Sequence, residues 1–402
     1  MNSVIFYSWL SLWSMKNKSG APSFYKTVEL YVKKGWNVYL VTNEEKNRYI
    51  DLLPPERVFV VPKYKTDEVF VNTKLNKASI FIRQMHYTEY AKKVTQKILE
   101  SNITCKFVLY AYEIYGVKVA KWASTTYGIP CVSRFQGTIL DGIKDTIWNR
   151  VRYYPHFQAL GEETDLIIMT NDGTRGDSVL KNLKNKTRNI KFWVNGLDLI
   201  GSKEKYDYSD FRQEYGLKKE QKVLLTVSRL ERWKHVERAI FALDEVVKEY
   251  ENISLVIVGD GAHRPDLEKL VEQLHLEKNV IFVGSIPHDQ VYHFIANCDI
   301  FLSLYDLSNV GNPLLEAMCL GAPIITLANG DTGKFVENYK NGILLNTDEL
   351  SLVPIKILEI LHNKQLENSL REHAMEFANR NLYTWEKRMD MEYSEVEKLL
   401  LS

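Results

Sequence analysis

Short apolar runs alternate with longer amphipathic stretches through the first half of the chain. A compact apolar run predicts a buried strand, and apolar positions three or four residues apart predict a helix. The predicted strands are Val4–Trp9, Trp36–Thr42, Val58–Val61, Phe107–Tyr110, Pro130–Phe135, Asp165–Thr170 and Ile190–Val194. The predicted helices are Ala21–Lys34, Leu75–Ser101 and Gly116–Tyr127. Because helices separate these strands, we expect a mainly parallel sheet that is covered on both faces.

The same alternation restarts after a polar, charged stretch between Asn195 and Lys222. Here the predicted strands are Val223–Ser228, Leu255–Val258, Val280–Val283, Asp299–Leu302, Ala322–Thr326 and Gly342–Leu345. The predicted helices are one that ends near Tyr250, then Asp289–Asn297, Glu349–His362, Lys364–Arg380 and Trp385–Leu401. A chain of 402 residues exceeds the usual size of one domain. We therefore expect two α/β domains, residues 1–196 and 197–384.

Charge divides the chain more sharply than its net value of +1 suggests. Residues 1–200 carry about 29 basic and 18 acidic side chains, roughly +11, which leaves about −10 for the rest. The small net charge argues against a dedicated nucleic-acid binder. A basic first half is suited to an anionic membrane surface or a phosphorylated acceptor, although scattered solvated lysines are the commoner explanation.

The expected location is the cytoplasm, and peripheral contact with the inner face of a membrane stays open. The first residues lack the basic start and long apolar run of a signal peptide, and no apolar run approaches the roughly 18 residues of a spanning helix. The four cysteines are dispersed in or beside apolar runs, without metal-ligand spacing. We expect them to be reduced core residues.

The stretch Ile300–Pro323 predicts a strand, a polar turn and a helix start, an arrangement that binds phosphate. Pro313 suits the first helical position because it has no N–H to leave unpaired. The loop amides of Asn309, Val310, Gly311 and Asn312 are then directed, with the helix dipole, at one anion site. Glu316, one turn into the helix, can accept hydrogen bonds from a ribose diol. A solvated glutamate that complements the dipole is the alternative.

Several other candidates follow predicted strands. Arg229 and Lys234 can neutralise a diphosphate, unless they are solvated loop charges. Gly259 begins a Gly-Asp-Gly turn that brings a helix close to the site. Because this turn lacks the third glycine of the dinucleotide-binding fingerprint, it argues against nicotinamide binding. Gly20 permits close approach of backbone to phosphate, although a plain turn explains it equally well. Glu113 and Gln136 are candidates for contact with sugar or acceptor hydroxyls.

The second half of the chain resembles the retaining nucleotide-sugar glycosyltransferases of glycosyltransferase family 4, which have the two-Rossmann-domain fold called GT-B. The resemblance covers about residues 195–350 and is carried by VSRLERWKHVERAI, LVIVGDG, NVIFVGSIP, NCDIFLSL and NPLLEAMCLGAPII. The segments SGAPSFYKTVELYVKKGWNVYLVT and FWVNGLD match the family more loosely. The resemblance implies two domains that face a central cleft. It also implies that the C-terminal helix, residues 385–402, crosses back to pack on the first domain.

The resemblance also implies roles for individual residues. Arg229 and Lys234 would hold the donor pyrophosphate, Glu316 the ribose, and the amides of residues 309–312 the phosphate and sugar. Residues 284–287, which include Gly284 and Ile286, would border the base. Gly20 would close on the donor phosphate from the other domain.

Three departures from the family concern sugar recognition. The family commonly has two glutamates separated by seven residues; the second matches Glu316, but Ser308 stands at the first. Asp306 is a candidate substitute for that first glutamate. The family's histidine after the first-domain strand aligns with Gln136, and its aspartate three residues later aligns with Ile139. The usual hexose preferences therefore do not transfer to this chain.

The leading hypothesis is transfer of a sugar from a UDP-sugar or GDP-sugar to an acceptor hydroxyl, with retention and without a metal or a resident cofactor. No Asp-x-Asp metal pair is evident. The family's usual role is assembly of cell-surface polysaccharide, glycolipid or glycoprotein, so a glycan, lipid-linked or protein-linked acceptor is expected. The second hypothesis, motivated by Ser308, is a catalytically silent relative that serves as a regulatory or partner-binding subunit.

Overall fold

The computed structural model describes residues 1–9, 22–43, 52–62, 64, 76–199 and 211–401. The chain divides into two compact units. Unit 1 comprises Met1–Thr170, Gly176–Trp193 and Glu386–Ser402, and unit 2 comprises Asn171–Arg175 and Val194–Trp385. The short segment Asn171–Arg175 therefore belongs to a different unit from the strand that precedes it.

Unit 1 is built on a seven-stranded parallel sheet with the order β3-β2-β1-β4-β5-β6-β7. Its strands are β1 Asn2–Ser8, β2 Asn37–Thr42, β3 Val58–Val60, β4 Lys106–Tyr112, β5 Cys131–Phe135, β6 Leu166–Thr170 and β7 Ile190–Trp193. The helices are α1 Pro22–Lys33, α2 Asn76–Glu100, α3 Ile114–Tyr127, α4 Ile147–Arg152, α5 Tyr154–Gly161 and α6 Gly176–Asn182.

The central strands of unit 1 are buried on both faces, as is typical of parallel sheets. Helix α3 lies very close to β1 because Gly116 has no side chain. A Cβ atom at Gly116 would lie 2.3 Å from the carbonyl oxygen of Tyr7. This close packing places the N-terminus of α3 beside the carboxyl ends of the central strands.

Unit 2 is built on a six-stranded parallel sheet with the order β10-β9-β8-β11-β12-β13. Its strands are β8 Lys222–Val227, β9 Ile253–Val258, β10 Val280–Gly284, β11 Ile300–Ser303, β12 Ile324–Leu327 and β13 Ile343–Leu345. Its helices are α7 Glu237–Val246, α8 Arg264–Gln273, α9 His288–Asn297, α10 Asn312–Leu320, α11 Val353–His362 and α12 Lys364–Asn381. The last helix, α13 Trp385–Leu401, belongs to unit 1 from Glu386 onward.

The predicted fold class, α/β with two Rossmann-like sheets, is confirmed. The predicted strands recur with ends that differ by at most two residues. Helices α4, α5 and α6 were not predicted; each is eight residues or shorter, and α4 buries no side chain. Among the described residues, no helix combines the length and apolar character needed to cross a membrane.

A buried ion cluster fastens α13 to unit 1. The carboxylate of Glu392 accepts hydrogen bonds from Arg134 of β5, from the Tyr110 hydroxyl of β4, and from Arg388 one turn earlier at 3.1 Å. Glu392 and both arginine side chains are fully buried. Burial lowers the pKa of Arg388 to about 10, and the positive charge of Arg134 acts in the same direction. The single carboxylate is therefore the counter-charge of two buried guanidinium groups.

We expect Glu392→Gln to lower the free energy of unfolding by about 3–5 kcal/mol, because it leaves two buried cations without their counter-charge. The matched control is Asp390→Asn on the same helix, whose carboxylate pairs with Lys34 at 3.1 Å and is exposed. That control should cost less than about 1 kcal/mol. Urea unfolding followed by circular dichroism measures both changes, and equal losses in the two variants would contradict the role given to Glu392.

Candidate active site

The turn after β8 holds two cations against aromatic rings. The guanidinium carbon of Arg229 lies 5.9 Å from the centre of the Trp233 ring. The Lys234 ammonium lies 4.2 Å from the ring centres of both Trp233 and Tyr305. The Tyr305 hydroxyl donates to the carbonyl of Val227 at 3.0 Å, which holds its ring in place. The lysine is therefore held by cation–π contacts with both rings.

Burial lowers the pKa of Lys234 to about 8 from an ordinary value of 10.5. The nearby Asp172 carboxylate opposes this shift, and the Arg229 charge adds to it. A lysine with a lowered pKa has its charge incompletely solvated in the folded protein. An anionic ligand would supply the missing counter-charge, so this position favours a phosphate.

The loop between β11 and α10 is organised by the buried amide of Asn309. Its Oδ1 accepts from the backbone N–H of Tyr305 at 3.1 Å and from the Ser303 hydroxyl at 3.3 Å. Its Nδ2 donates to the Tyr305 carbonyl at 2.8 Å and to Oδ1 of Asn329 at 2.9 Å. Ser308, immediately before it, has a left-handed backbone with φ 60°. The Asn309 side chain is thus structural and fixes the path of the loop.

The amides of this loop divide into occupied and unoccupied donors. The N–H of Val310 donates to the carbonyl of Asp172 at 2.9 Å, so it is not directed at a ligand as the sequence suggested. The N–H groups of Gly311 and Asn312 have no hydrogen-bond partner in the part of the chain that the structure describes. Pro313 occupies the second helical position of α10, one residue later than expected. Two free amides at a helix N-terminus remain available to an anion.

Glu316 lies on the first turns of α10 and is 1% exposed. Its Oε1 atom lies 2.8 Å from Nε2 of His288, at the start of α9. Although burial lowers the pKa of His288, the Glu316 carboxylate raises it above its ordinary value. The other oxygen, Oε2, is buried and has no hydrogen-bond partner among the described residues. A buried, unpaired carboxylate oxygen needs a donor, and a ligand hydroxyl can supply it.

His288 was missed by the sequence interpretation, which ended the base-binding segment at Pro287. The usable signal is its place at the first position of α9, directly after β10 and the turn that contains Ile286. Ile286 is half-buried and packs on the apolar core of unit 2.

Gly259 and Gly284 stand at the carboxyl ends of β9 and β10. The N–H of Gly259 donates to the carbonyl of Gly284 at 2.9 Å. A Cβ at Gly259, which has φ 127°, would lie 1.9 Å from the carbonyl oxygen of Ser228. No side chain fits there, so Gly259 allows the turn after β8 to lie against the end of β9.

Two carboxylates lie near the loop between β11 and α10, and they differ in their partners. Asp306 pairs with Arg238 at 2.6 Å and with Nε2 of His235 at 2.9 Å, so its charge already has two partners. Asp172 accepts hydrogen bonds from the hydroxyls of Ser308 and Thr174. Burial raises the pKa of Asp172, and these two hydrogen bonds act against the shift. The sequence interpretation missed Asp172 because it follows β6, far from this loop in the chain.

The unit 1 candidates lie together at the ends of β4 and β5. The Glu113 carboxylate accepts from the backbone N–H of Gln136 at 2.8 Å, and the Gln136 side chain donates to the Tyr112 hydroxyl at 2.8 Å. Glu113 has φ 68°, an unusual conformation for a non-glycine residue and one that is enriched at functional sites. Gly20 lies outside the described residues.

A cavity of about 230 Å³ in unit 2 is lined by several of the candidate residues. Its lining includes the two cations, the ring of Trp233 and the loop before α10. The lining residues that matter here are Arg229, Lys234, Trp233, Tyr305, Ser308, Asn309 and Gly311. The cations and a free helix-terminal amide therefore share one pocket.

The chain is similar to known glycosyltransferases. Residues 207–377 match the model of the family described as glycosyl transferases group 1. This match and the relatives that follow confirm the resemblance to glycosyltransferase family 4. The N-acetyl-alpha-D-glucosaminyl L-malate synthase of Bacillus anthracis is 29% identical over 172 residues, 43% of this chain and 44% of the relative. The alpha-monoglucosyldiacylglycerol synthase of Acholeplasma laidlawii is 28% identical over 163 residues, 40% of each chain. The alignments thus span less than half the length of these relatives.

Solved structures extend the likeness in fold to the whole chain. Sucrose-phosphate synthase from Thermosynechococcus elongatus matches with a TM-score of 0.77 at 17% identity, and covers 100% of this chain and 99% of its own. Anabaena HepE, solved in complex with UDP, matches with a TM-score of 0.73 at 17% identity, over 99% of this chain and 100% of its own. At this identity the likeness establishes the GT-B fold alone.

We expect Lys234→Met to raise the thermal midpoint at pH 7, by the equivalent of up to about 2 kcal/mol, because it removes a poorly solvated buried charge. The pH dependence of this stability difference follows from the lowered pKa of Lys234. Between about pH 8 and 10.5 the unfolded chain binds the proton more tightly, so wild-type stability rises with pH in that window and the advantage of the variant shrinks.

Differential scanning fluorimetry across this pH range measures the effect. The control is Lys278→Met in the same unit, where the lysine is exposed and the midpoint should stay within about 1 °C. A lower midpoint for Lys234→Met at pH 7 would contradict the strain assigned to Lys234.

Proposed function

We propose that this protein transfers a sugar from a nucleoside diphosphate sugar to an acceptor hydroxyl, with retention of anomeric configuration. The observation that carries the proposal is the shared pocket of Arg229, Lys234 and the free N–H group of Gly311, directly before α10. A diphosphate presents several negative oxygens, and cations with helix-terminal amides match that pattern. The unpaired Oε2 of Glu316 suits a ribose hydroxyl of the same donor.

The chemistry follows from where charge develops. As the bond between the sugar C1 and the diphosphate oxygen breaks, negative charge grows on the departing diphosphate. Arg229, Lys234 and the two amides stabilise that charge without reorganising. A new bond forms between C1 and the acceptor oxygen on the same face, and the acceptor proton passes to the departing diphosphate oxygen. The two cations supply the positive charge, so we propose that the reaction is independent of metal ions.

For the sugar end of the donor we propose that Asp172 supplies the carboxylate that Ser308 does not. The Ser308 hydroxyl donates to Asp172, and the oxygen atoms of both side chains can accept hydrogen bonds from sugar hydroxyls. Thr174 donates to Oδ1 of Asp172 at 2.6 Å and fixes its orientation. Asp306 is less suited, because its two oxygens already pair with Arg238 and His235.

The alternative of a catalytically silent subunit is not favoured. Its motive was the serine at position 308, and a carboxylate lies beside that serine. Nothing about the cation pair or Glu316 suggests a lost site. The donor base, the sugar, the linkage and the acceptor are questions for a panel of nucleotide sugars and product mass spectrometry.

We expect Arg229→Ala and Lys234→Ala each to lower kcat/KM by the equivalent of about 2–4 kcal/mol. Each variant removes a positive charge that stabilises the negative charge developing on the departing diphosphate. Arg232→Ala is the control, since that exposed arginine on the same turn pairs with Asp266. Thermal shift with UDP, GDP and their sugars first identifies the base. Failure of every nucleoside diphosphate to stabilise the wild type would contradict the function itself.

The same binding should depend on pH through Lys234. Because burial lowers its pKa to about 8, the free lysine loses its proton above that pH and diphosphate affinity falls. If only the protonated form binds, the loss is roughly tenfold between about pH 7.5 and 9. Lys234→Arg should bind with a flat profile in this range, because arginine stays charged.

We expect that a carboxylate at position 308 can replace the carboxylate of Asp172 at the sugar end of the donor. Asp172→Ser and Ser308→Glu should each lower kcat/KM with the nucleotide sugar roughly 10- to 100-fold, the first by removing the acceptor and the second by placing two carboxylates together. The double variant Asp172→Ser/Ser308→Glu should recover most of the loss.

Affinity for the nucleoside diphosphate alone should stay within about twofold in all three variants. Asp172→Ser/Ser308→Gln is the matched control, because it repeats the size and the left-handed backbone of position 308 without the charge. Equal recovery in that control, or no loss in Asp172→Ser, would show that Asp172 does not act on the sugar.

A further inference from the structure

Helix α4 is unusual because it buries none of its residues and yet carries three large apolar side chains. Ile147 is 75% exposed, Trp148 82% and Val151 72%. The spacing of three and four residues places these side chains on one face of the helix. A helix that contributes nothing to the core has no folding reason to present such a face to water.

The apolar surface continues onto neighbouring elements of unit 1. Tyr154, at the start of α5, lies three residues after Val151 and is 40% exposed. Its ring centre is 6.3 Å from that of Phe81 on α2. Phe81 and Met85, one turn apart, are each about half exposed. We call Phe81, Met85, Ile147, Trp148, Val151 and Tyr154 the α4 patch.

Basic side chains border the α4 patch. Lys144, Arg150 and Arg152 are all exposed. The acidic neighbour Asp145 is already paired with Arg150 at 2.6 Å. The local excess is therefore positive, in agreement with the basic character of the first half of the chain.

An apolar face with a central tryptophan and a basic border has the chemistry of a membrane-interface element. Tryptophan is favoured at the boundary between headgroups and acyl chains, and arginine is attracted to anionic phosphate headgroups. A protein partner of matching shape would need an acidic rim, and a second copy of the chain would bring like charges together. Charge thus favours an anionic lipid surface over a second copy.

We propose that unit 1 docks on an anionic phospholipid surface through the α4 patch. The contact is interfacial, with the apolar side chains of α4 inserted among the headgroups and the arginines at the phosphates. This property is separate from the donor reaction, because none of the patch residues belongs to the candidate active site in unit 2.

Vesicle flotation of the full chain tests the proposal. We expect binding to phosphatidylcholine vesicles with about half phosphatidylglycerol, and at least about tenfold weaker binding to pure phosphatidylcholine or at 0.5 M salt. Trp148→Ser/Val151→Ser should lower the partition coefficient about tenfold or more, since both side chains insert. Arg152→Gln should lower it about two- to fivefold.

The controls replace an exposed apolar side chain and an exposed cation that lie outside the α4 patch. Ile103→Ser removes an 86% exposed side chain in the turn after α2, and Lys278→Gln removes an exposed cation in unit 2. Both should bind like the wild type. Because α4 buries nothing, all variants should keep the wild-type circular dichroism and nucleoside diphosphate binding.

Three outcomes would overturn the proposal. The first is equal flotation of wild type and Trp148→Ser/Val151→Ser, and the second is equal binding to neutral and anionic vesicles. The third is a dimer by sedimentation velocity that dissociates in the double variant, which would identify the patch as an interface between copies. Quenching of wild-type fluorescence by brominated lipid, absent after Trp148→Phe, would support insertion of the indole.

Discussion

The candidate site depends on one buried amide, the side chain of Asn309. Four of its hydrogen bonds are to Ser303 at the end of β11, to the backbone N–H and carbonyl of Tyr305, and to Asn329 after β12. A primary amide can donate two and accept two hydrogen bonds, so nearly its whole capacity is used on the backbone path. With that path fixed, the N–H groups of Gly311 and Asn312 stay unpaired at the start of α10. Any residue without both an acceptor and a donor would release part of the loop, and the free amides would lose their common direction.

The same site contains groups that are poorly satisfied in the free protein. Lys234 has its charge buried beside Arg229, and Glu316 keeps one buried carboxylate oxygen without a donor. A direct ion pair between Lys234 and Glu316 would have satisfied both groups, but the two residues are held on different elements of unit 2. A donor with phosphates at one end and hydroxyls at another satisfies each group with the partner that it lacks. Instability in the free protein and affinity for the donor thus have the same physical origin.

Most of the fold was predictable, because fully buried parallel strands such as β9 produce continuous apolar runs. Arg229, Lys234 and Glu316 were predictable because each follows a strand or opens a helix. The Asp172 contacts were not, since they join a loop after β6 to a loop after β11 and no local pattern records that pairing. Helix α4 was missed for a different reason. Its apolar side chains are exposed, so its pattern is not that of a helix packed on a core.

The serine at position 308 shows why a motif residue and a motif function must be considered separately. Read along the chain, the position has lost a carboxylate, which suggests a silent protein. In the folded unit 2, the Ser308 hydroxyl donates to Asp172, and the Lys234 charge interacts with that same carboxylate. The electrostatic environment depends on the position of a charge in space and not on which segment carries it. A carboxylate held by Thr174 and Ser308 is also more fixed in direction than one on a longer, unsupported glutamate side chain, which would allow less adjustment to different sugar hydroxyls.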